Sequence, residues 1–88
     1  MAKEYTKVDR PGSKFYYKDP EMTILHREDG PAIEHYERSK QWWLNGKSHR
    51  LNGPAIERAW GLNEWWVNGV YLFTVPVWPE DKIVDRIK

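Results

Sequence analysis

The chain has no cysteine among its 88 residues, so neither a disulfide framework nor a thiolate metal site is open to it, and nothing argues for an oxidising compartment. Long apolar runs are missing too. Nowhere are there 18 consecutive apolar residues, and the opening MAKEYTKVDR holds no apolar stretch. Neither a membrane-spanning helix nor a signal peptide is therefore expected. The expectation is a soluble, cytoplasmic protein without a membrane partner. Net charge is scarce as well: 14 Lys and Arg stand against 13 Asp and Glu, which argues against a partner held by electrostatics alone. Catalytic signatures are also lacking. No serine sits in a nucleophile elbow, no glycine-rich loop could cradle phosphates, and no pair of acids flanks an evident pocket. His26 and His49, without cysteine or a carboxylate at matching spacing, make a poor zinc site, because zinc needs three or four ligands. A non-enzyme with no cofactor and no metal is expected.

Aromatic residues are what the chain has in plenty, at 15%. A chain this short buries a modest share of its surface, and each large ring removes about 150–250 Å² from water. Rings should supply much of what the small core lacks.

The sequence also repeats. The stretch Gln41 to Asn63, QWWLNGKSHRLNGPAIERAWGLN, shifted forward by 23 positions lays Trp42-Trp43 on Trp65-Trp66 and Asn45-Gly46 on Asn68-Gly69. Shifted back by the same amount, His49-Arg50 falls on His26-Arg27 and Gly53-Pro54-Ala55-Ile56-Glu57 on Gly30-Pro31-Ala32-Ile33-Glu34. A period of this length encodes one supersecondary unit that must stack on its neighbours to bury its apolar face.

Asn-Gly between short apolar runs predicts a type I′ hairpin, since both central residues must take positive φ. Trp42-Trp43-Leu44 should run up one strand and Lys47 to Arg50 back down. Leu51-Asn52-Gly53-Pro54 predicts a second turn, with Gly53 free to take positive φ, and Ala55 to Trp60 a third strand. Lys14 to Lys18 is a degenerate copy of the tryptophan strand, lengthened at its tip by Asp19-Pro20-Glu21-Met22. Repeat three replaces His-Arg by Leu72-Phe73, as terminal repeats often do. The expected fold is all-β: an antiparallel meander of hairpin repeats over 14–78, an N-terminal arm over 1–13 with a short strand near Tyr5, and a short C-terminal helical cap over 79–88. Pro79-Glu80-Asp81 would start that helix, and Ile83, Val84 and Ile87 would share one face.

At W-W-x-N-G-x-x-H-R-x-x-G-P-A the chain resembles the small MORN-like repeat proteins of tailed phages and some bacteria. The likeness covers roughly residues 14–73. Trp42 to Ala55 matches throughout, whereas repeat one lacks the Trp-Trp and Asn-Gly part and repeat three the His-Arg and Gly-Pro-Ala part. The resemblance implies an elongated antiparallel sheet. Among such chains it is similar to phage inhibitors of the endoribonuclease toxin in type III toxin–antitoxin systems, which implies an anti-defence protein that neutralises a host toxin, with RNA in the complex.

Strand alternation gives the candidate surface. Adjacent tryptophans send one ring to each face of a sheet, so a single layer leaves one row of rings exposed or covered by a second copy. Exposed rings beside cations suit single-stranded RNA, whose bases stack for about 1–3 kcal/mol each. The RNA-binding candidates are Trp43 and Trp66, with Arg27, Lys47, Arg50 and Arg58 near them. Another reading makes these rings core or a homodimer interface, where Trp and Arg are also enriched, and a symmetric homodimer is expected because an open meander leaves unpaired edges. For the His-Arg pairs, repetition itself points to architecture: each imidazole packing on a tryptophan, each Arg bonding turn carbonyls or the Glu of the next strand. A ribonuclease built from His26, His49 and an Arg is the competing enzyme reading. A plain protein–protein module without RNA affinity is the alternative to the toxin inhibitor.

Overall fold

Asn45 and Gly46 take φ of 51° and 77°, and Asn68 and Gly69 φ of 51° and 78°, so both Asn-Gly pairs form the type I′ turns that match the right-handed twist of their strands. In the computed structural model, which describes residues 4–9, 11–59 and 61–76, these turns close two hairpins of an all-β antiparallel meander. Its strands are β1 (Tyr5–Val8), β2 (Lys14–Tyr17), β3 (Ile33–Glu34), β4 (Lys40–Gln41), β5 (Trp43–Leu44), β6 (Lys47–Ser48), β7 (Ile56–Glu57), β8 (Leu62–Val67) and β9 (Val70–Pro76). Seven of them form one sheet in the order β1-β2-β3-β4-β7-β8-β9, and β5-β6 stands apart as a two-stranded hairpin. No helix occurs among the described residues. The helical cap expected over 79–88 lies outside them.

Register turns the sheet into two unlike faces. Directly paired residues share a face, so Phe15, Ile33, Gln41, Ile56 and Glu64 line one side. On the other, Lys14, Glu34, Lys40 and Glu57 alternate in sign across four strands. Among the described residues the buried apolar ones are Tyr16, Ala32, Ile33, Ala55 and Ile56, and no large side chain is fully enclosed. Ala32 and Ala55 have no exposure at all because the chain crosses there: Tyr16 N–H donates to Ala32 O at 2.8 Å and Trp42 N–H to Ala55 O at 2.7 Å.

Three expectations need correction. The strand expected over Ala55 to Trp60 is only Ile56–Glu57; Arg58 N–H donates instead to the Asn63 side chain at 3.3 Å and Ala59 N–H to Ser39 Oγ at 3.0 Å. The strand expected through Trp42 is interrupted there, because Trp42 bonds across to Ala55 between β4 and β5. Gly53 does not have positive φ. Its side-chain-free Cα serves another purpose, described below.

The short strand near Tyr5 is present as β1, paired with β2 from Tyr5↔Tyr17 to Val8↔Lys14. The added tip after Tyr17 is held by Asp19, whose carboxylate accepts from Thr23 N–H and Ile24 N–H at 3.0 and 2.9 Å. At the other end, β9 is exposed along its whole length. Its register slips by one residue opposite Trp65/Trp66, leaving Leu72 as the extra residue of a bulge, a feature that bends an edge strand and blunts it.

Candidate functional site

The His-Arg pairs are the joints between repeats. His26 Nδ1 accepts from Asn45 N–H at 2.9 Å, and His49 Nδ1 from Asn68 N–H at 3.0 Å. Each imidazole thereby holds the tight turn of the following repeat. The same step is reinforced by the backbone: Arg27 N–H to Trp43 O and Arg50 N–H to Trp66 O, both 3.1 Å, and Gly46 N–H to Leu25 O and Gly69 N–H to Ser48 O, both 2.8 Å. The arginines lie over the rings. Arg50 Cζ is 3.7 Å from the centre of Trp42 and Arg27 Cζ 3.9 Å from that of Tyr16. Arg50 Nη1 donates to Pro54 O at 3.1 Å and Glu57 Oε2 at 2.9 Å; Arg27 Nη1 donates to Pro31 O at 3.1 Å and Glu34 Oε2 at 3.2 Å.

This explains the repeated glycines. A Cβ on Gly53 would fall 2.9 Å from Arg50 Cζ, closer than carbon atoms pack, and one on Gly30 3.1 Å from Arg27 Cζ, a tight contact. Glycine stands at these turns to admit a guanidinium. Arg27 and Arg50 are thus structural cross-links, on the face that carries Trp42, Glu34 and Glu57.

The twin indoles do part company. Trp42 lines a depression with Arg50 and Leu51, whereas Trp43 and Trp66 wall a separate open groove of about 470 Å³ floored by Ile56. Two hydrogen bonds fix these rings: Trp43 Nε1 donates to Gln41 Oε1 at 3.0 Å and Trp66 Nε1 to Glu64 Oε1 at 2.9 Å. With the indole N–H engaged internally, the apolar ring surfaces are what the groove offers. Ser48 and Gly69 lie between the walls, and among the described residues Lys47 contributes the one charged side chain of the groove lining. The Lys47 stem packs at 3.5 Å on the place where Gly69 lacks a Cβ.

Of the six residues predicted from sequence, the structure brings Trp43, Trp66 and Lys47 together. Arg58 stands behind Trp66: its Nη2 donates to Glu64 Oε2 at 2.6 Å, the carboxylate that also holds the indole. Arg27 and Arg50 are on the far face. Gln41, Glu64 and Ile56 were not foreseen, although the polar residue before each Trp-Trp pair, Gln41 and Glu64, recurs at the 23-residue period and carried that signal.

The bonds from Arg58 and then Trp66 hold the Glu64 carboxyl below its ordinary value of 4.5, against the opposing effect of burial. A depressed carboxylate contributes stability that is present above the unfolded value and lost as pH falls through the folded one. Glu64→Gln is therefore expected to lower stability at pH 7, where the carboxylate's contribution is fully present, and to flatten the acid limb of unfolding below about pH 4.5. Trp66 fluorescence against pH checks this; an unchanged acid limb would refute the role.

No protein family, curated protein or solved structure matches this chain. Among the described residues no helix is long and apolar enough to cross a membrane.

Proposed function

We propose that this chain is a non-enzymatic binding protein, a phage-type anti-defence inhibitor that captures a ribonuclease toxin in the cytoplasm of a bacterial host through its Trp43–Trp66 face. One observation supports it above the others: successive repeats place a fixed indole at the same open groove with an apolar floor between them, Trp66 being further braced by the edge of Tyr71 at 5.4 Å. Rigid aromatic anchors around a groove are the usual hot spots of a protein interface. The His-Arg pairs, which would have to act in a nuclease, are occupied as repeat joints.

RNA is the second reading of the same face. Bases stacked on Trp43 and Trp66 with a phosphate on Lys47 would join chain and toxin. Against it stands the commitment of Arg27 and Arg50 to glutamates on the other face. The test is capture of the toxin from expressing cells by the tagged chain, with and without ribonuclease treatment. Capture that survives the nuclease supports direct docking; capture lost with it moves the function to RNA, and no capture in either arm overturns both.

The dimer belongs to the same proposal. Tyr71, Leu72, Phe73 and Val75 on β9 are 38–50% exposed, an apolar strip that a second copy would cover. Sedimentation is expected to give twice the 10.6 kDa of the chain, falling to the single mass in Leu72→Lys. A monomer at micromolar concentration would contradict it.

A further inference from the structure

We infer that Arg38, at the tip of the β3–β4 hairpin, is a second anchor for the protein partner and takes one of its aspartate or glutamate carboxylates. This rests on the reading of the chain as a toxin-capturing protein and adds to it a contact outside the tryptophan groove.

A comparison of the three repeats carries the inference. Gly12, Arg38 and Gly61 each stand four residues before the first ring of a pair, Tyr16, Trp42 and Trp65. All three have left-handed backbone, with φ of 87°, 80° and 101°. Two repeats therefore meet the demand of this turn with glycine, and the middle one meets it with a long side chain. For a residue with a Cβ, that conformation lowers the folding equilibrium by a factor of about 5 to 30. Three hydrogen bonds hold the loop in it. Arg38 N–H donates to His35 O and His35 N–H to Ser39 O, both at 2.9 Å, and Tyr36 N–H donates to Ser13 Oγ at 2.8 Å.

Nothing among the described residues offsets that cost. Of the four described arginines, Arg27, Arg50 and Arg58 each donate to a glutamate. Arg38 is exposed, and its side chain makes no hydrogen bond, ion pair or ring contact among the described residues. Backbone strain that persists in a fold clusters where the chain binds or reacts. The free group here is a planar fork of donors, suited to a carboxylate. Beside it Tyr36 is 57% exposed, and Tyr and Arg are common anchors of protein interfaces.

The charge pattern favours a protein over a nucleic acid. This loop and the one that meets it through Gly12 and Ser13 carry Asp9, Arg10, Glu37 and Arg38 in sequence, two charges of each sign. A phosphate chain would meet both acids, whereas a protein can set one carboxylate on Arg38 and match the acids with other groups. Reach is sufficient. Arg38 precedes Trp43 by five residues, at most about 18 Å of chain, and a standard interface of about 800 Å² a side is roughly 30 Å wide. One partner can therefore cover both Arg38 and the groove.

The experiment combines thermal melts with titration of the purified ribonuclease toxin into the whole chain and its Arg38→Gly, Arg38→Asn and Arg38→Lys variants. Arg38→Gly is expected to melt about 4 °C higher, because relief of the left-handed backbone outweighs the added freedom of glycine in the unfolded chain. Arg38→Asn, which tolerates the same backbone, should melt no lower than the parent. Both should bind the toxin at least about tenfold more weakly, and Arg38→Lys should recover little of the loss, since an ammonium offers no fork. Stability gained while binding is lost is a result that a merely structural arginine does not give. Unchanged toxin affinity in Arg38→Gly overturns the inference and leaves the toxin-binding proposal standing. Melting of Arg38→Gly at or below the parent removes the strain and overturns it too. A parent chain that does not bind the toxin overturns both, and an Arg38-dependent affinity that disappears on ribonuclease treatment overturns the carboxylate contact in favour of RNA phosphate.

Discussion

Arg50→Ala is expected to lower the melting temperature by roughly 15 °C, a loss of about 3 kcal/mol in a domain where each kcal/mol moves the midpoint by about 4–8 °C. The guanidinium stacks 3.7 Å over Trp42, a contact contributing about 0.5–2 kcal/mol. It also donates to the Pro54 carbonyl and the Glu57 carboxylate, and hydrogen bonds to charged groups contribute about 1.5–3 kcal/mol each. These values are taken at the low end, because the Arg50 side chain keeps 23% of its exposure and Glu57 35% and solvent screens the pair. Arg50→Lys should recover little, since an ammonium cannot stack flat and fork at once. Gly53→Ala gives the sharper check. With Arg50 in place, the added Cβ at 2.9 Å from Cζ forces the guanidinium off its ring, and stability falls. In an Arg50→Ala background the clash has no counterpart. There the same change should be neutral or stabilising by about 0.4–1 kcal/mol, as Gly→Ala is where the backbone conformation is ordinary. Thermal melts of the four proteins close the cycle. Additive losses would show that Gly53 does not serve Arg50.

On the proposed function, Trp66→Ala is expected to weaken binding of the proposed toxin partner by about 30-fold, the equivalent of roughly 2 kcal/mol for an aromatic anchor buried in the complex. Asn52→Ala, beside Trp42 on the opposite face, should change affinity less than twofold. Titration calorimetry of both variants decides between the faces, with circular dichroism confirming that each retains its sheet. An Asn52 variant that lost as much as the Trp66 variant would move the docking surface to the charged face. Trp66→Phe separates ring from hydrogen bond. It keeps an aromatic wall but releases Glu64 Oε1, so a small loss says that ring surface matters and a large one that ring orientation does.

The hairpins were legible in the sequence because their signals are local: Asn-Gly demands positive φ at both positions whatever surrounds it, and alternation along a strand sends Trp42 and Trp43 apart by geometry alone. The arginines were half legible. Repetition of His-Arg marked them as architecture, and the glutamate and turn-carbonyl partners could be named, but both were also placed beside Trp43 and Trp66. Their actual face follows from Glu34 and Glu57, whose parity is opposite to that of Ile33 and Ile56. The hydrogen bonds of the histidines were not legible. An Nδ1 that accepts a backbone N–H 19 residues away cannot be inferred from a motif, because the acceptor and the turn it holds belong to different repeats.

By itself the sequence determined the repeat, its 23-residue period, the turn chemistry and the parting of the paired indoles, all consequences of backbone preferences acting within a few residues. Only the tertiary structure decided that Gly30 and Gly53 exist to admit arginines, that Gln41 and Glu64 aim the half-buried tryptophans Trp43 and Trp66, and that Ile56 floors the space between them. Each of these joins residues on different strands, and the distance across a sheet is set by how strands pair, which no local stretch of chain encodes.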